Sequence, residues 1–225
     1  MSDKFMIFHM PVKVDISRAS GSQIRPIKMI EAFRELGYSI DIVIGDTSQR
    51  RKKIREITKE IKNGKKYDFL YSESSTMPTL LTESHHLPFS PLMDFSFLSE
   101  CKKSGIKIGL YYRDIYWKLH SFKLSVDGIK RLYSKLFYYY DLAIYRKVVN
   151  ILYVPTTEMY EYLGYDVKTA VKGLPPGCSN LDLPEKSFEN IDGIKCLYVG
   201  GLGKNYNLQL FTDVISQFSS MTFTL

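Results

Sequence analysis

The chain has 225 residues, 44% of them hydrophobic, and 31 Lys or Arg against 24 Asp or Glu give it a formal charge of +7. This balance excludes a disordered chain and allows one or two domains with a sizeable core. The first apolar run, Phe5 to Phe8, is too short for a secretory core, and no later run approaches the length of a membrane span, so a cytoplasmic protein is expected.

In chain order, short β-type runs alternate with longer helical patterns, which predicts βαβ units and a Rossmann-like parallel sheet with helices on both faces. The first strand is Phe5 to His9, and a helix is expected from about Gln23 to Leu36, ended by Gly37. Between them lies SGSQIRP, Ser20 to Pro26, with Gly21 at the helix entrance and Ser22 as a possible N-cap. The loop could hold an anionic or hydroxyl-rich ligand. Arg25 is placed to face a ligand or to form an ion pair, and a capped helix with solvated basic side chains is the alternative.

A second strand, Ile40 to Ile44, precedes a basic helix over about 49–62, and Phe69 to Tyr71 is a third strand. Phe95 to Lys103 reads as a helix closed by Gly105, and Ile106 to Tyr111 as a strand. At the end of that strand stand Tyr111, Tyr112, Arg113, Asp114, Ile115, Tyr116 and Trp117, where open parallel sheets place their ligands. Aromatic rings such as Trp117 suit sugars, Asp114 can accept hydrogen bonds from hydroxyls, and Arg113 can meet phosphate. An Arg–Asp ion pair within aromatic packing explains the same residues equally well.

The long helix 128–148 carries Ile129, Leu132, Tyr133, Leu136, Phe137, Tyr140, Ala143 and Ile144 at helical spacing, a face expected to be core. Tyr138, Tyr139 and Tyr145 spread its aromatic character further, which also fits a basic, aromatic surface resting on anionic lipid. A strand at Ile151 to Val154, a short helix near 157–163 and a strand at 167–171 follow.

Residues 173–193 contain three prolines and three glycines without periodicity and read as a crossover between domains, with 176–193 as linker. A new βαβ start follows: a strand at Lys195 to Val199, the turn Gly200-Gly201-Leu202-Gly203-Lys204, a helix over Asn207 to Phe218 and a strand from Met221. Backbone N–H groups at such a turn suit a phosphate, whose charge Lys204 could neutralise. A close strand-to-helix bend would use the same glycines. The turn has neither Walker A nor dinucleotide spacing.

The positive charge is concentrated in residues 49–66 and 118–147, which together carry +12 and leave −5 for the rest. An anionic partner is implied, whether nucleic acid, acidic lipid or a phosphorylated substrate, unless 49–66 is a solvated helix face. Four histidines and three scattered cysteines fit no metal or redox spacing, so no metal or cofactor is expected.

Taken together, SGSQIRPIKMIEAFRELGYSIDIVIGD, GLYYRDIYW, VKGLPPGCSN and YVGGLGKNYNLQLF resemble retaining glycosyltransferases of the GT-B fold, in particular the bacterial group that builds capsule, exopolysaccharide and lipopolysaccharide. The resemblance spans essentially the whole chain. It implies an acceptor-side domain over 1–175, the 176–193 linker, and over 194–225 the start of a nucleotide-sugar-binding domain that is cut off. It implies transfer of a sugar from a nucleotide diphosphate sugar to a saccharide or lipid-linked acceptor, with most of the donor site beyond residue 225 and this chain inactive alone. Asp114 matches the aspartate of the family's acceptor-site His-Asp pair, with Arg113 in place of the histidine. Gly21, Ser22, Arg25, Arg113 and Trp117 fall on the acceptor side. Gly201, Gly203 and Lys204 fall at the donor phosphates, Gly201 replacing the family's arginine and Lys204 matching its lysine. The basic segments would then face a membrane surface carrying the acceptor. The competing readings are a non-catalytic acceptor- or membrane-binding module that assists a partner transferase and, last, a nucleic-acid binder, for which no motif is present.

Overall fold

The computed structural model describes residues 4–15, 17, 20–83, 85–88, 90–177, 194–197, 208–217 and 221–224. The chain divides into two compact units, Met1–Pro176 and Gly177–Leu225.

The first unit is a Rossmann-like α/β layer. Strands β1 (Lys4–His9), β2 (Tyr38–Val43), β3 (Phe69–Glu73), β4 (Lys107–Tyr111), β5 (Ile151–Val154) and β6 (Ala170–Gly173) form one sheet in the order β2-β1-β3-β4-β5-β6. Every pairing is parallel, with Met6 opposite Ile40 on one side and Phe69 on the other. Parallel strands must be covered on both faces, and the helices do this. Helix α1 (Gly21–Glu35) covers one face, its Met29, Ile30 and Phe33 packing with Met6, Phe8, Tyr71 and Tyr111. Helices α2 (Thr47–Lys62), α3 (Met93–Lys103), α4 (His120–Ser125), α5 (Gly128–Val148) and α6 (Thr157–Leu163) follow in the chain. Ile57 of α2, Phe97 and Leu98 of α3, Leu142 of α5 and Leu163 of α6 join Ile7, Leu70, Ile108, Leu110 and Leu152 in the larger core cluster. Strict alternation along β1 sends Met6 and Phe8 to one cluster and Ile7 to the other.

Local chemistry explains the ends of these elements. Asp46 caps α2 through a reciprocal capping box with Gln49. Gly37 follows the end of α1 in the left-handed region, φ 83°, which a side chain would resist. At the start of α1 the expected cap is displaced: Ser20 occupies the N-cap position and Ser22 lies inside the first turn.

One expectation holds only in part: of the α5 stripe expected to be core, Phe137, Tyr140 and Ile144 are partly buried against the larger cluster. The face of α5 that turns inward is Tyr138, Asp141, Leu142, Tyr145 and Val148, whereas Ile129, Leu132, Tyr133 and Leu136, read as core from their spacing, are exposed. Apolar residues occur on both sides of this helix, so periodicity alone does not choose between them.

In the second unit, β7 (Ile194–Leu197) and β8 (Met221–Thr224) pair in parallel, with α7 (Leu208–Ile215) between them in the chain. This is a βαβ arrangement. Gly201, Gly203 and Lys204 lie outside the described residues.

Candidate functional site

The chain runs from β1 outward to β2 and then returns to place β3 on the opposite side of β1. The loops leaving β1 and β3 therefore diverge, and a parallel sheet opens its crevice at such a reversal, beyond the carboxyl ends of the strands. Two polar networks occupy this edge.

The first is centred on Glu73, the last residue of β3, whose side chain is fully buried. Arg25 of α1 brings Nε within 3.3 Å of Glu73 Oε1, and Arg113, two residues beyond β4, brings a terminal nitrogen within 3.1 Å of Oε2. Tyr71 donates its hydroxyl to Oε1 at 3.1 Å, and the Arg25 guanidinium lies 3.7 Å from the centre of the Tyr111 ring. Burial works against the charge of Arg25, but Tyr71, Glu73 and Tyr111 outweigh it and raise its pKa. Burial, and then the Glu73 charge, push the Tyr71 hydroxyl well above its ordinary value, so it stays a donor.

Pro26 explains how Arg113 reaches α1. Proline has no N–H to give the carbonyl four residues earlier, and that carbonyl belongs to Ser22. Arg113 donates to it at 3.3 Å and so fastens the first turn of α1 to the loop after β4. Around Gly21 a Cβ would meet nothing within 4 Å among the described residues.

Asp114 continues the same edge. Its Oδ2 accepts from the Thr76 hydroxyl at 2.9 Å and its Oδ1 from the Tyr116 N–H at 3.1 Å. A carboxylate has about four acceptor positions, so two such bonds orient it without exhausting it. Thr76 is itself held: its carbonyl accepts from Tyr138 of α5 at 2.6 Å, while Asp141 of α5 accepts from the Thr79 N–H at 2.7 Å. Asp141 is buried, and its other oxygen has no partner among the described residues. Burial is the main cause that pushes its carboxyl up to about 7.

The second network lies on the opposite face of the sheet. His9 Nε2 is 3.1 Å from Asp94 in the first turn of α3, and His9 Nδ1 is 2.8 Å from the Ser72 hydroxyl. Because a carboxylate only accepts, Nε2 carries the proton toward Asp94, and in the neutral ring Nδ1 accepts from Ser72. Arg50 of α2 grips both Asp94 oxygens, at 3.1 and 3.3 Å, and also donates to the Gly45 carbonyl at 2.6 Å and to Glu83 at 3.3 Å. Burial raises the Asp94 carboxyl, but His9 and Arg50 overcome this and hold it low. A Ser–His–Asp chain is the wiring of a nucleophile, yet Ser72 is only 1% exposed and Arg50 already neutralises the carboxylate. The chain therefore works as a fastening of β1, β3, α2 and α3.

Among the residues singled out in the sequence, the structure brings Arg25 and Arg113 together on Glu73, ties Arg113 to the Ser22 carbonyl and places Asp114 in the same loop as Arg113. Trp117 is a correction: it is 1% exposed, stacks on Tyr138 at 4.9 Å and gives its N–H to Tyr112. With one ring face taken by Tyr138 and the ring sealed in the core, it shapes the loop and has no face for a sugar. The basic helix 49–62 is also partly consumed internally, since Arg50 binds Asp94 and Lys53 binds Asp41 at 2.7 Å. The residues that sequence reading missed are Glu73, Thr76, Asp94 and Asp141. A charged residue closing the strand FLYSE was the one available signal. Among the described residues, no group of three or more His, Cys, Asp or Glu is placed to hold a metal ion, and no helix is long and apolar enough to cross a membrane.

No family model matches the sequence, and no curated protein matches it significantly. Among solved structures, the chain is similar to Phytolacca americana UGT2 complexed with UDP-2fluoro-glucose and pterostilbene, at 9% identity and a TM-score of 0.46. The likeness covers 93% of this chain and 62% of that one, so this chain spans less than two thirds of its length.

Proposed function

We propose that this chain supplies the acceptor side of a glycosyltransferase that moves a sugar from a nucleotide diphosphate sugar to a hydroxyl of a saccharide or lipid-linked saccharide. The observation that carries this reading is the position of Asp114. It stands beyond the carboxyl end of β4, beside the reversal point of a parallel sheet, oriented by Thr76 and Tyr116 with acceptor positions left over. A carboxylate so placed can accept a hydrogen bond from an incoming hydroxyl, orienting it and increasing the electron density on its oxygen. The Arg25–Glu73–Arg113 cluster beside it supplies rigidity and, with two guanidinium groups on one carboxylate, keeps a net positive charge.

The finer reading, a retaining enzyme of bacterial envelope polysaccharide synthesis, rests on the sequence resemblance, as does the assignment of Gly201, Gly203 and Lys204 to the donor diphosphate. There Lys204 and the turn's N–H groups would stabilise the departing diphosphate electrostatically.

The test is nucleoside diphosphate release from a panel of nucleotide sugars, with and without saccharide acceptors. Release that depends on both sugars and falls in Asp114→Asn supports the proposal. Saccharide binding without any release, in this chain and in longer forms of it, favours a non-catalytic acceptor-binding module instead.

A further inference from the structure

We infer that the outward face of the first half of α5 docks on the surface of a bilayer that contains anionic lipid. This stands independently of the sugar chemistry proposed above. Ile129, Leu132 and Leu136 are 87%, 73% and 65% exposed, and Tyr133 and Tyr139 are exposed beside them. At 100° per residue these five side chains fall within one arc opposite the buried Tyr138, Asp141, Leu142 and Tyr145. A groove of about 510 Å³ between α3 and α5, lined on its apolar side by Leu92, Phe95, Tyr140 and Ile144, continues the apolar surface toward the C-terminal half of the helix.

Charge selects the occupant. Lys130 and Lys135 flank the arc on its two sides, and within 128–148 the one carboxylate, Asp141, is buried on the other side. The exposed Asp127 at the N-cap lies 3.7 Å from Lys130. A second copy of the chain meeting this face about a two-fold axis would bring the same cations against one another. A polyanionic plane with an apolar interior satisfies both features: the leucines and isoleucine enter the acyl boundary, the tyrosines sit at headgroup level and the cations meet phosphates. The opposite side of the same helix holds Thr76 and Thr79 through Tyr138 and Asp141, so docking would set the Asp114 loop at a fixed height above the lipid.

The experiment is flotation of the full chain with vesicles of phosphatidylcholine alone and of phosphatidylcholine mixed with phosphatidylglycerol. Cations near an anionic surface each contribute about 1 kcal/mol, so the two of them predict at least a roughly tenfold preference for the anionic vesicles. The triple change Ile129→Ser, Leu132→Ser, Leu136→Ser, at positions too exposed to support the fold, should reduce recovery about tenfold with an unchanged melting temperature. Lys130→Glu with Lys135→Glu should remove the preference for anionic lipid. Equal recovery on both vesicle types, no recovery on either, or a triple variant that floats like the parent overturns the inference. So does a dimer in sedimentation analysis that the triple change dissociates, since a second copy would then cover the face.

Discussion

Asp141→Asn isolates a buried carboxyl whose proton is held well above the ordinary carboxylate range. In the unfolded chain an aspartate titrates near 3.9, whereas burial, outweighing the hydrogen bonding from Thr79, pushes this carboxyl up to about 7. The folded state therefore holds a proton that the unfolded state has released. Its stabilising effect is complete below about pH 4 and is lost as pH rises through 7. A gap of roughly three pH units, at about 1.4 kcal/mol each, gives an upper bound of about 4 kcal/mol. Asparagine cannot ionise. It can still accept from Thr79 N–H, but its amide leaves two buried N–H donors unmatched where the protonated carboxyl leaves one O–H, an added cost of about 1–3 kcal/mol that does not vary with pH. Urea unfolding of both proteins at pH 4, 6 and 8 measures the difference directly. The parent should be the more stable at pH 4 and should lose most of that advantage, or fall below the variant, by pH 8. A difference that stays constant within about 1 kcal/mol over this range would refute the buried, protonated carboxyl.

The remaining predictions concern the two networks and the exposed helix face. Glu73→Gln removes the charge between two largely buried arginines and should destabilise the fold by about 3–5 kcal/mol in urea; Glu73→Gln with Arg113→Met should recover part of the loss, because fewer unpaired charges remain. Arg50→Met strips Asp94 of its guanidinium and should cost about 3–5 kcal/mol, while Lys52→Met on the same helix, exposed to solvent, should change stability by less than about 0.5 kcal/mol. The Ile129, Leu132 and Leu136 serine triple variant should lose vesicle binding without losing stability.

How much of this was legible in the sequence differs by feature. The strands from Phe5, Ile40, Phe69, Ile106 and Ile151 were readable because parallel strands buried on both faces are short, continuous apolar runs. The first turn of α1 was readable as a loop entering a helix, but the cap falls at Ser20 because the helix starts two residues earlier than expected. The use of Pro26 was not readable. Its effect, a freed carbonyl on Ser22, gains meaning only when Arg113 arrives from 91 positions away. Glu73 and Asp141 carry the same lesson. A carboxylate is assigned to the surface from sequence, and each is buried because a partner distant in the chain meets it, two arginines in one case and the Thr79 N–H in the other. The N-terminal half of α5 was misread for a related reason: the helix's inward face contains that aspartate and two tyrosine hydroxyls, while a more apolar stripe faces outward.

The central claim, that Asp114 receives an acceptor hydroxyl, is most directly tested by titrating saccharide acceptors into the parent chain and Asp114→Asn while following amide chemical shifts. Loss of one charge-assisted hydrogen bond predicts binding weakened about tenfold to a hundredfold, with the parent's shifts clustered on residues 20–25, 73–76 and 113–116. Equal affinity in both proteins, or shifts clustered elsewhere, would contradict it.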